Sequence, residues 1–91
     1  MTVKVAGIEF GNNFYDREVD VLYLHVGDPA SSFDWEDSEE GDGLSYASDG
    51  SLVGITILNA RRRLDRDGKI VITVPERQIE ASDLDEILAP T

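Results

Sequence analysis

The amino-acid sequence predicts an α+β fold, in which one antiparallel, twisted β-sheet of five to six strands carries one or two short helices. Short apolar runs alternate with a period of two, which is typical of strands, and clusters of glycine, aspartate and asparagine separate these runs. Helical spacing is confined to two short stretches. A length of 91 residues, of which 41% are hydrophobic, suits a single domain over residues 1–91 with one core.

The first apolar run, "TVKVAGIEF", alternates but changes phase at Gly7. A β-bulge adds one residue to a strand and shifts the alternation, so the phase change predicts one strand with a bulge at the glycine. The "GNN" that follows at residues 11–13 is typical of a turn.

Two hairpins are predicted in the middle of the chain. "NFYD" and "DVLYLHV" are separated by a few polar residues, and "GLSYA" and "LVGITIL" are joined by "SDGS", in which Asp49 and Gly50 suit a tight primed turn. Alternation in "DVLYLHV" predicts two apolar faces, with Leu22, Leu24 and Val26 on one side and Val21, Tyr23 and His25 on the other. Gly54 is expected either to allow a close approach by another group or to relieve crowding.

Short helices are predicted after the second hairpin and near the C-terminus. Asn59 is a typical N-cap residue, Ala60 and Leu64 share one helical side in "ARRRLDRDG", and Gly68 is placed to end that helix. "KIVITVP" predicts a return to strand. An apolar stripe in "SDLDEIL" predicts a short C-terminal helix near residues 82–88.

Negative charge is the main compositional feature, with a formal net charge of -11. The segment "DPASSFDWEDSEEGDG", residues 28–43, contains seven carboxylates and no basic residue, and is predicted to be an acidic loop. Phosphate backbones would be repelled by such a segment, so direct nucleic-acid binding is not expected. The arginine run at residues 61–63 is expected to neutralise carboxylates of the acidic half.

The sequence indicates no catalytic residue, cofactor site or metal site, so we expect a protein that is not an enzyme. His25 is the sole histidine, and there is no cysteine. A calcium-binding loop with Gly41 or Gly43 at its sixth position lacks acids where ligands are required. Asp16 and Asp20 flank a tight turn, where aspartate commonly bonds to the backbone, and we expect that role rather than an acid/base pair.

Compartment and membrane association follow from composition. No apolar run approaches the roughly eighteen residues of a membrane span, and Met1 is not followed by a basic region and a long apolar stretch. The absence of cysteine removes any disulfide framework. We therefore expect a soluble, cytoplasmic protein that does not bind membranes.

The acidic segment contains the candidate binding residues. Phe33 and Trp35 lie among its carboxylates, where a large aromatic side chain either folds back onto the sheet or remains available as an anchor for a partner. The predicted partner-binding set combines these two aromatics with the neighbouring carboxylates: Phe33, Asp34, Trp35, Glu36, Asp37, Glu39, Glu40 and Asp42.

Two stretches carry a family resemblance. "YDREVDVLYL", followed by "DGSLVGITILNA", resembles the domain-of-unknown-function family 2283, and the pair covers roughly residues 14 to 64. The resemblance implies a small β-rich domain of prokaryotic or phage type without an established activity. Some members of that family look like antitoxin-type partners of small ribonuclease toxins. The long acidic segment between the stretches and the extension after Leu64 depart from the family's compact pattern.

Three functions remain open at this point. The first is a non-enzymatic module whose acidic surface binds a basic protein, as an antitoxin-like neutraliser would. The second is a nucleic-acid mimic that inhibits a DNA- or RNA-binding protein through carboxylates along one face. A small hydrolase is the remote third. Because the predicted helices are too small to cover both apolar faces of the sheet, we also expect a homodimer.

Overall fold

The computed structural model describes residues 3–5, 7–28, 34–74, 77–81 and 84–88. Over these residues the chain forms nine strands and two helices. The strands are β1 (Val3–Val5), β2 (Ile8–Phe10), β3 (Asn12–Asp16), β4 (Val21–His25), β5 (Asp34–Asp37), β6 (Gly43–Tyr46), β7 (Leu52–Leu58), β8 (Ile70–Val74) and β9 (Arg77–Ala81). The helices are α1 (Ala60–Asp67) and α2 (Asp85–Leu88).

The largest element is an antiparallel sheet of five strands in the order β3-β4-β7-β6-β5. β1 pairs with β2 and β8 pairs with β9 in two further antiparallel hairpins. Strands therefore dominate an α+β architecture, which confirms the predicted fold class.

The N-terminal prediction was wrong in its connection. β1 and β2 are not one bulged strand but two strands of a hairpin that reverses at Gly7, where φ is 80°. The phase change in the sequence arises because the chain turns back, so that Val3 lies opposite Phe10 and both side chains are buried. The turn predicted at residues 11–13 is also absent, since β3 already begins at Asn12.

Both central hairpins are confirmed. β3 pairs with β4, and β6 pairs with β7. The connection between β6 and β7 is not the predicted primed two-residue turn, because Gly50 has a positive φ of 88° but Asp49 does not. The Gly50 N–H donates to the Ala47 carbonyl and the Ala47 N–H to the Ser51 carbonyl, both at 2.9 Å, so the loop has three residues.

Leu22 and Leu24 point into the core, as the alternation predicts. The prediction was wrong for Val26, which follows the end of β4 and is 38% exposed. On the other face Phe14, Tyr23 and Trp35 are exposed, whereas His25 and Ser45 are buried.

One core joins both small hairpins and both helices to the five-stranded sheet, and β5 contributes no residue to it. The inner face of the five-stranded sheet packs with side chains from the β1–β2 and β8–β9 hairpins and from both helices. The buried apolar residues are Val3, Val5, Phe10, Leu22, Leu24, Leu44, Ile55, Ile57, Ala60, Leu64, Ile70, Ile72, Ile79, Leu84 and Leu88.

Helix α1 begins and ends at the predicted places, but its start is stabilised differently. Gly68 ends the helix with a φ of 74°, and its N–H donates to the Leu64 carbonyl, as expected for a C-terminal glycine. Asn59 takes the left-handed conformation and its side chain makes no capping hydrogen bond. Asn59 thus occupies the predicted N-cap position, and its carbonyl accepts from the Arg63 N–H at 2.9 Å, but the side-chain cap comes from another residue.

The acidic segment contains regular structure. Residues 34–37 form β5, which pairs with β6 at the edge of the sheet, so the loop predicted over residues 28–43 is in part a strand. Residues 29–33, including Phe33, lie outside the described residues. α2 falls within the predicted C-terminal helix. No described helix combines the length and the apolar character needed to span a membrane.

Candidate functional site

β5 places a large aromatic side chain and three carboxylates on the protein surface. Trp35 is 67% exposed, and Asp34, Glu36 and Asp37 are exposed beside it. Alternation along the strand puts Trp35 and Asp37 on the outer face of the sheet and Asp34 and Glu36 on the opposite side. Since β5 is the last strand of the sheet, both sides can be reached from its edge.

Trp35 borders an open groove on the outer face of the sheet. The groove has a volume of about 370 Å³, and its other rim carries Phe14 and Tyr23. These two rings stack with their centroids 6.2 Å apart and their planes at 22°. His25, Ser45 and Thr56 line the groove between its two aromatic rims.

The middle of the groove is closely packed. A Cβ atom added at Gly54 would overlap Ser45 Oγ and lie 2.7 Å from His25 Cδ2, so a larger residue would have to displace these side chains. This confirms the predicted close approach. His25 is buried, and its Nδ1 donates to the Val26 carbonyl at 2.8 Å, because a carbonyl oxygen can only accept.

Asp42 is not available to a partner, although the sequence places it among the binding residues. Its side chain is fully buried, and its Oδ1 accepts hydrogen bonds from Arg63 Nη1 at 2.7 Å and from the Leu58 N–H at 3.1 Å. The same guanidinium donates to the carbonyl oxygens of Leu58 and Val71. Thus Arg63 neutralises a carboxylate of the acidic segment, as predicted for the arginine run, but it does so inside the fold.

Glu40 is also used within the fold. Its carboxylate accepts hydrogen bonds from the backbone N–H of Thr73 at 2.8 Å and from the Thr73 hydroxyl at 2.7 Å. Partial burial acts to raise the pKa of Glu40, but the hydrogen bonds from Thr73 outweigh it and lower that pKa. Glu39, the preceding residue in the turn, is exposed. Neighbouring glutamates in the acidic segment therefore have different roles.

The residue that caps α1 is Asp20, in the turn before β4. Its Oδ1 accepts from the Arg61 N–H at 2.7 Å, its Oδ2 accepts from the Arg62 N–H at 3.2 Å, and its backbone carbonyl accepts from the Ala60 N–H at 3.1 Å. Three backbone donors at the helix N-terminus are satisfied from a distant part of the chain. The predicted turn role of Asp20 was incomplete, because its carboxylate also stabilises this helix.

Tyr15 completes this arrangement by donating its hydroxyl to Asp20 Oδ1 at 2.7 Å. Burial, together with the hydrogen bond and charge of Asp20, raises the pKa of Tyr15 to about 12. Burial acts to raise the pKa of Asp20, but hydrogen bonds from Tyr15 and from the backbone of Arg61 and Arg62 outweigh it and lower that pKa. Asp20 is therefore a carboxylate that stays ionised to stabilise the fold.

The structure thus separates the predicted binding set into two groups. Asp34, Trp35, Glu36, Asp37 and Glu39 share the surface of one hairpin. Glu40 and Asp42 belong to the contacts that hold this hairpin to the rest of the protein. Within the described part of the chain, no three histidine, aspartate or glutamate side chains gather as a metal site would require.

These features define a small, strand-dominated protein in which the turn between β3 and β4 caps α1. A family model described as "Protein of unknown function (DUF2283)" matches residues 14–61, which is more than half of the chain. The chain belongs to this family, which confirms the resemblance found in the sequence. The match runs from β3 to the first turn of α1 and so includes Tyr15, Asp20 and Arg61. Neither the curated proteins nor the solved structures include a match to the chain.

Proposed function

We propose that this protein is a non-enzymatic binding module that holds a basic protein partner against β5 and the adjoining groove. One observation carries the proposal: Trp35 is 67% exposed on an edge strand, between exposed carboxylates. Tryptophan is enriched among the residues that contribute most to protein–protein binding, and its burial in a complex would remove a large apolar area from water.

Charge supports the choice of a basic partner. The chain has a formal net charge of -11, and no described basic side chain forms a salt bridge with Asp34, Glu36 or Asp37. These carboxylates would attract a basic surface and speed association, while Trp35 and the groove would supply the specificity that screened surface charges lack. Neutralisation of a basic toxin-like protein is one form of this activity, and a chain without cysteine suits the reducing cytoplasm.

Nucleic-acid mimicry is less well supported by the geometry. A mimic needs negative charges spaced along one face, whereas β5 directs Asp34 and Glu36 to one side and Asp37 to the other. Asp42 is buried against Arg63, and Glu40 is bonded to Thr73. The carboxylates that looked like one continuous series in the sequence are therefore not a single charged surface.

Affinity capture with the full chain tests the proposal, using Trp35→Ala and the matched control Val19→Ala. Val19 is 59% exposed in a turn outside the groove, so its truncation also removes exposed apolar surface. We expect Trp35→Ala to weaken binding of the captured partner by about 2 kcal/mol or more, roughly 30-fold, without a large fall in melting temperature. Val19→Ala should bind as the unmodified protein does.

The identity of the partner separates the candidate functions. A small basic protein that requires Trp35 supports the proposal. A nucleic-acid enzyme that is released by added DNA supports mimicry instead. Equal affinity of Trp35→Ala and the unmodified protein for their partner contradicts the proposed binding surface.

A homodimer is the competing use of the outer face. Phe14 is 62% exposed and Tyr23 is 44% exposed, so the stacked pair offers apolar surface to a second copy. Sedimentation of the unmodified protein and of Phe14→Ala would distinguish the two uses. If Phe14→Ala dissociates the dimer and Trp35→Ala does not, the rim of the groove with Phe14 and Tyr23 is the surface of self-association.

A further inference from the structure

We propose that the partner binds as an added strand: an extended segment with alternating basic and apolar side chains pairs with the free edge of β5. This inference rests on the proposed function and specifies its chemistry. An open strand edge presents backbone donors and acceptors to which another chain can pair, and this mode of peptide recognition is common. Among the described residues, β5 has a neighbour on one side only, β6.

The hydrogen-bond pattern identifies which backbone groups are open. The Ser38 N–H donates to the Asp42 carbonyl, which continues the ladder between β5 and β6. Antiparallel ladders alternate between bonded and non-bonded pairs, so Glu36 faces β6 while Trp35 and Asp37 direct their backbone groups away from it. The Trp35 N–H agrees with this assignment, because it donates to the side chain of Asp34 at 2.9 Å.

The side chain of Asp34 therefore acts as the hydrogen-bond acceptor that an added strand would otherwise supply. Its Oδ1 satisfies the outward Trp35 N–H in the free protein, as a carbonyl oxygen of an added strand would in the complex. Strand addition would exchange this local bond for a backbone bond and release the carboxylate of Asp34. The released charge would then lie beside the added strand, where a basic side chain could pair with it.

The register also sets the side-chain pattern of the partner. A residue bonded to the backbone of Trp35 lies on the outer face, beside the indole ring and the groove, and an apolar side chain suits that position. Residues on either side of it project to the opposite face, toward Asp34 and Glu36, and lysine or arginine suits those positions. The expected partner segment is thus apolar toward the groove and basic on its other side.

A second copy of β5 does not fit this edge. Pairing two β5 strands would bring Asp34, Glu36 and Asp37 of each copy against the same carboxylates of the other, and like charges placed across a strand pair are destabilising. A basic segment removes this repulsion. Charge complementarity therefore selects a partner strand over self-pairing.

The test uses three eight-residue alternating Lys–Val peptides of equal charge, titrated into the full chain and followed by the fluorescence of Trp35, its single tryptophan. One peptide is unmodified, one carries N-methyl groups on its valines, and one carries them on its lysines. In the proposed register only the valine N–H groups face β5. We expect valine methylation to weaken binding about tenfold or more, which is about 1.4 kcal/mol, and lysine methylation to change it by less than about threefold.

Two variants at one position test the same edge from the protein side. Asp37→Ala removes the charge but keeps the N–H, whereas Asp37→Pro removes the charge and the outward N–H. We expect Asp37→Pro to bind the unmodified peptide at least about threefold more weakly than Asp37→Ala. Circular dichroism and the melting temperature of both variants verify that β5 and the sheet are intact. Asp37→Asn is a further control, because it removes the charge and keeps the N–H.

Each outcome bears on strand addition separately from the proposed function. If all three peptides bind equally and Trp35→Ala weakens their binding, strand addition is wrong and the peptides bind through side chains alone. If methylation of the lysines weakens binding as much as methylation of the valines does, the proposed register is wrong. Failure of every peptide to change the fluorescence of Trp35 overturns strand addition, while the affinity capture described above decides the proposed function independently.

Discussion

Carboxylates in two regions of this protein have opposite environments, because one group is bonded within the fold and the other is exposed. At the junction between the hairpins and α1, Asp20 and Asp42 accept hydrogen bonds from backbone N–H groups and from Tyr15 or Arg63. On β5, Asp34 and Asp37 stay exposed beside Trp35. One part of the negative charge is therefore bonded within the fold, and another part stays exposed on the surface.

The difference arises from the hydrogen-bond donors that lie near each carboxylate. The N-terminus of α1 presents N–H groups that have no partner within the helix, and the guanidinium of Arg63 reaches a buried position between β7 and β8. An aspartate near these donors becomes part of the fold. β5 lies at the sheet edge, where its backbone pairs only with β6 and water solvates the side chains.

The largest expected effect is at the buried pair. Asp42→Ala should lower the free energy of unfolding by about 3–5 kcal/mol, because Arg63 would keep its mostly buried charge without a partner. Denaturation in urea measures the loss, and Asp37→Ala on β5 is the matched control, with an expected change within about 0.5 kcal/mol. Similar losses in the two variants would contradict the division between the regions.

The cap of α1 should give the next largest effect. Asp20→Ala removes the acceptor for the Arg61 and Arg62 N–H groups and should lower the free energy of unfolding by about 1–2 kcal/mol. Tyr15→Phe should cost about 1 kcal/mol through loss of one hydrogen bond. In the double variant the losses should be less than additive, since the two side chains share that bond. Strict additivity would show that Tyr15 does not act through Asp20.

The contribution of Tyr15 and Asp20 to stability should depend on pH. The pKa of Tyr15 is raised from 10.0 to about 12, so its stabilising contribution is complete below pH 10 and is lost as the pH rises toward 12. The pKa of Asp20 is lowered from 3.8, so its contribution is present above that pH and is lost as the pH falls below it. The difference in unfolding free energy between the unmodified protein and Tyr15→Phe should therefore shrink above pH 10. A constant difference across this range would contradict the assignment.

The smallest effect distinguishes two glutamates in one turn. Glu40→Gln weakens the acceptor that holds Thr73, whereas Glu39→Gln changes only an exposed side chain. We expect Glu40→Gln to lower the melting temperature slightly more than Glu39→Gln does, because a hydrogen bond to a charged acceptor is stronger than one to a neutral acceptor. Glu39→Gln should instead reduce the salt dependence of partner association. The reverse order of melting temperatures would contradict the contact with Thr73.

Local patterns in the sequence were enough to predict much of the sheet. Alternation of apolar residues predicts β3–β4 and β6–β7, and Asp49 with Gly50 marks the position of the turn but not its type. Gly68 likewise predicts the end of α1. At Gly7 the local pattern fits either a bulge or a reversal of the chain, and only the pairing of Val3 with Phe10 decides between them.

Contacts between distant residues could not be predicted in this way. Asp20 caps a helix that begins 40 residues later in the chain, so the nearer Asn59 looks like the cap although its side chain has no such bond. Asp42 resembles its exposed neighbours in the sequence, and its burial depends on Arg63, 21 residues away. "DWED" lacks apolar alternation, and it forms a strand because β6 pairs with it.

The cap that Asp20 places on α1 has a consequence for the stability of this helix. At eight residues, α1 is shorter than the roughly 12–15 residues at which isolated helices become even marginally stable in water. Its first turn is completed by a residue that is 41 positions before Arg61. The stability of α1 is therefore coupled to closure of the β3–β4 turn, so a change that opens this turn should also loosen a helix that begins 40 residues later.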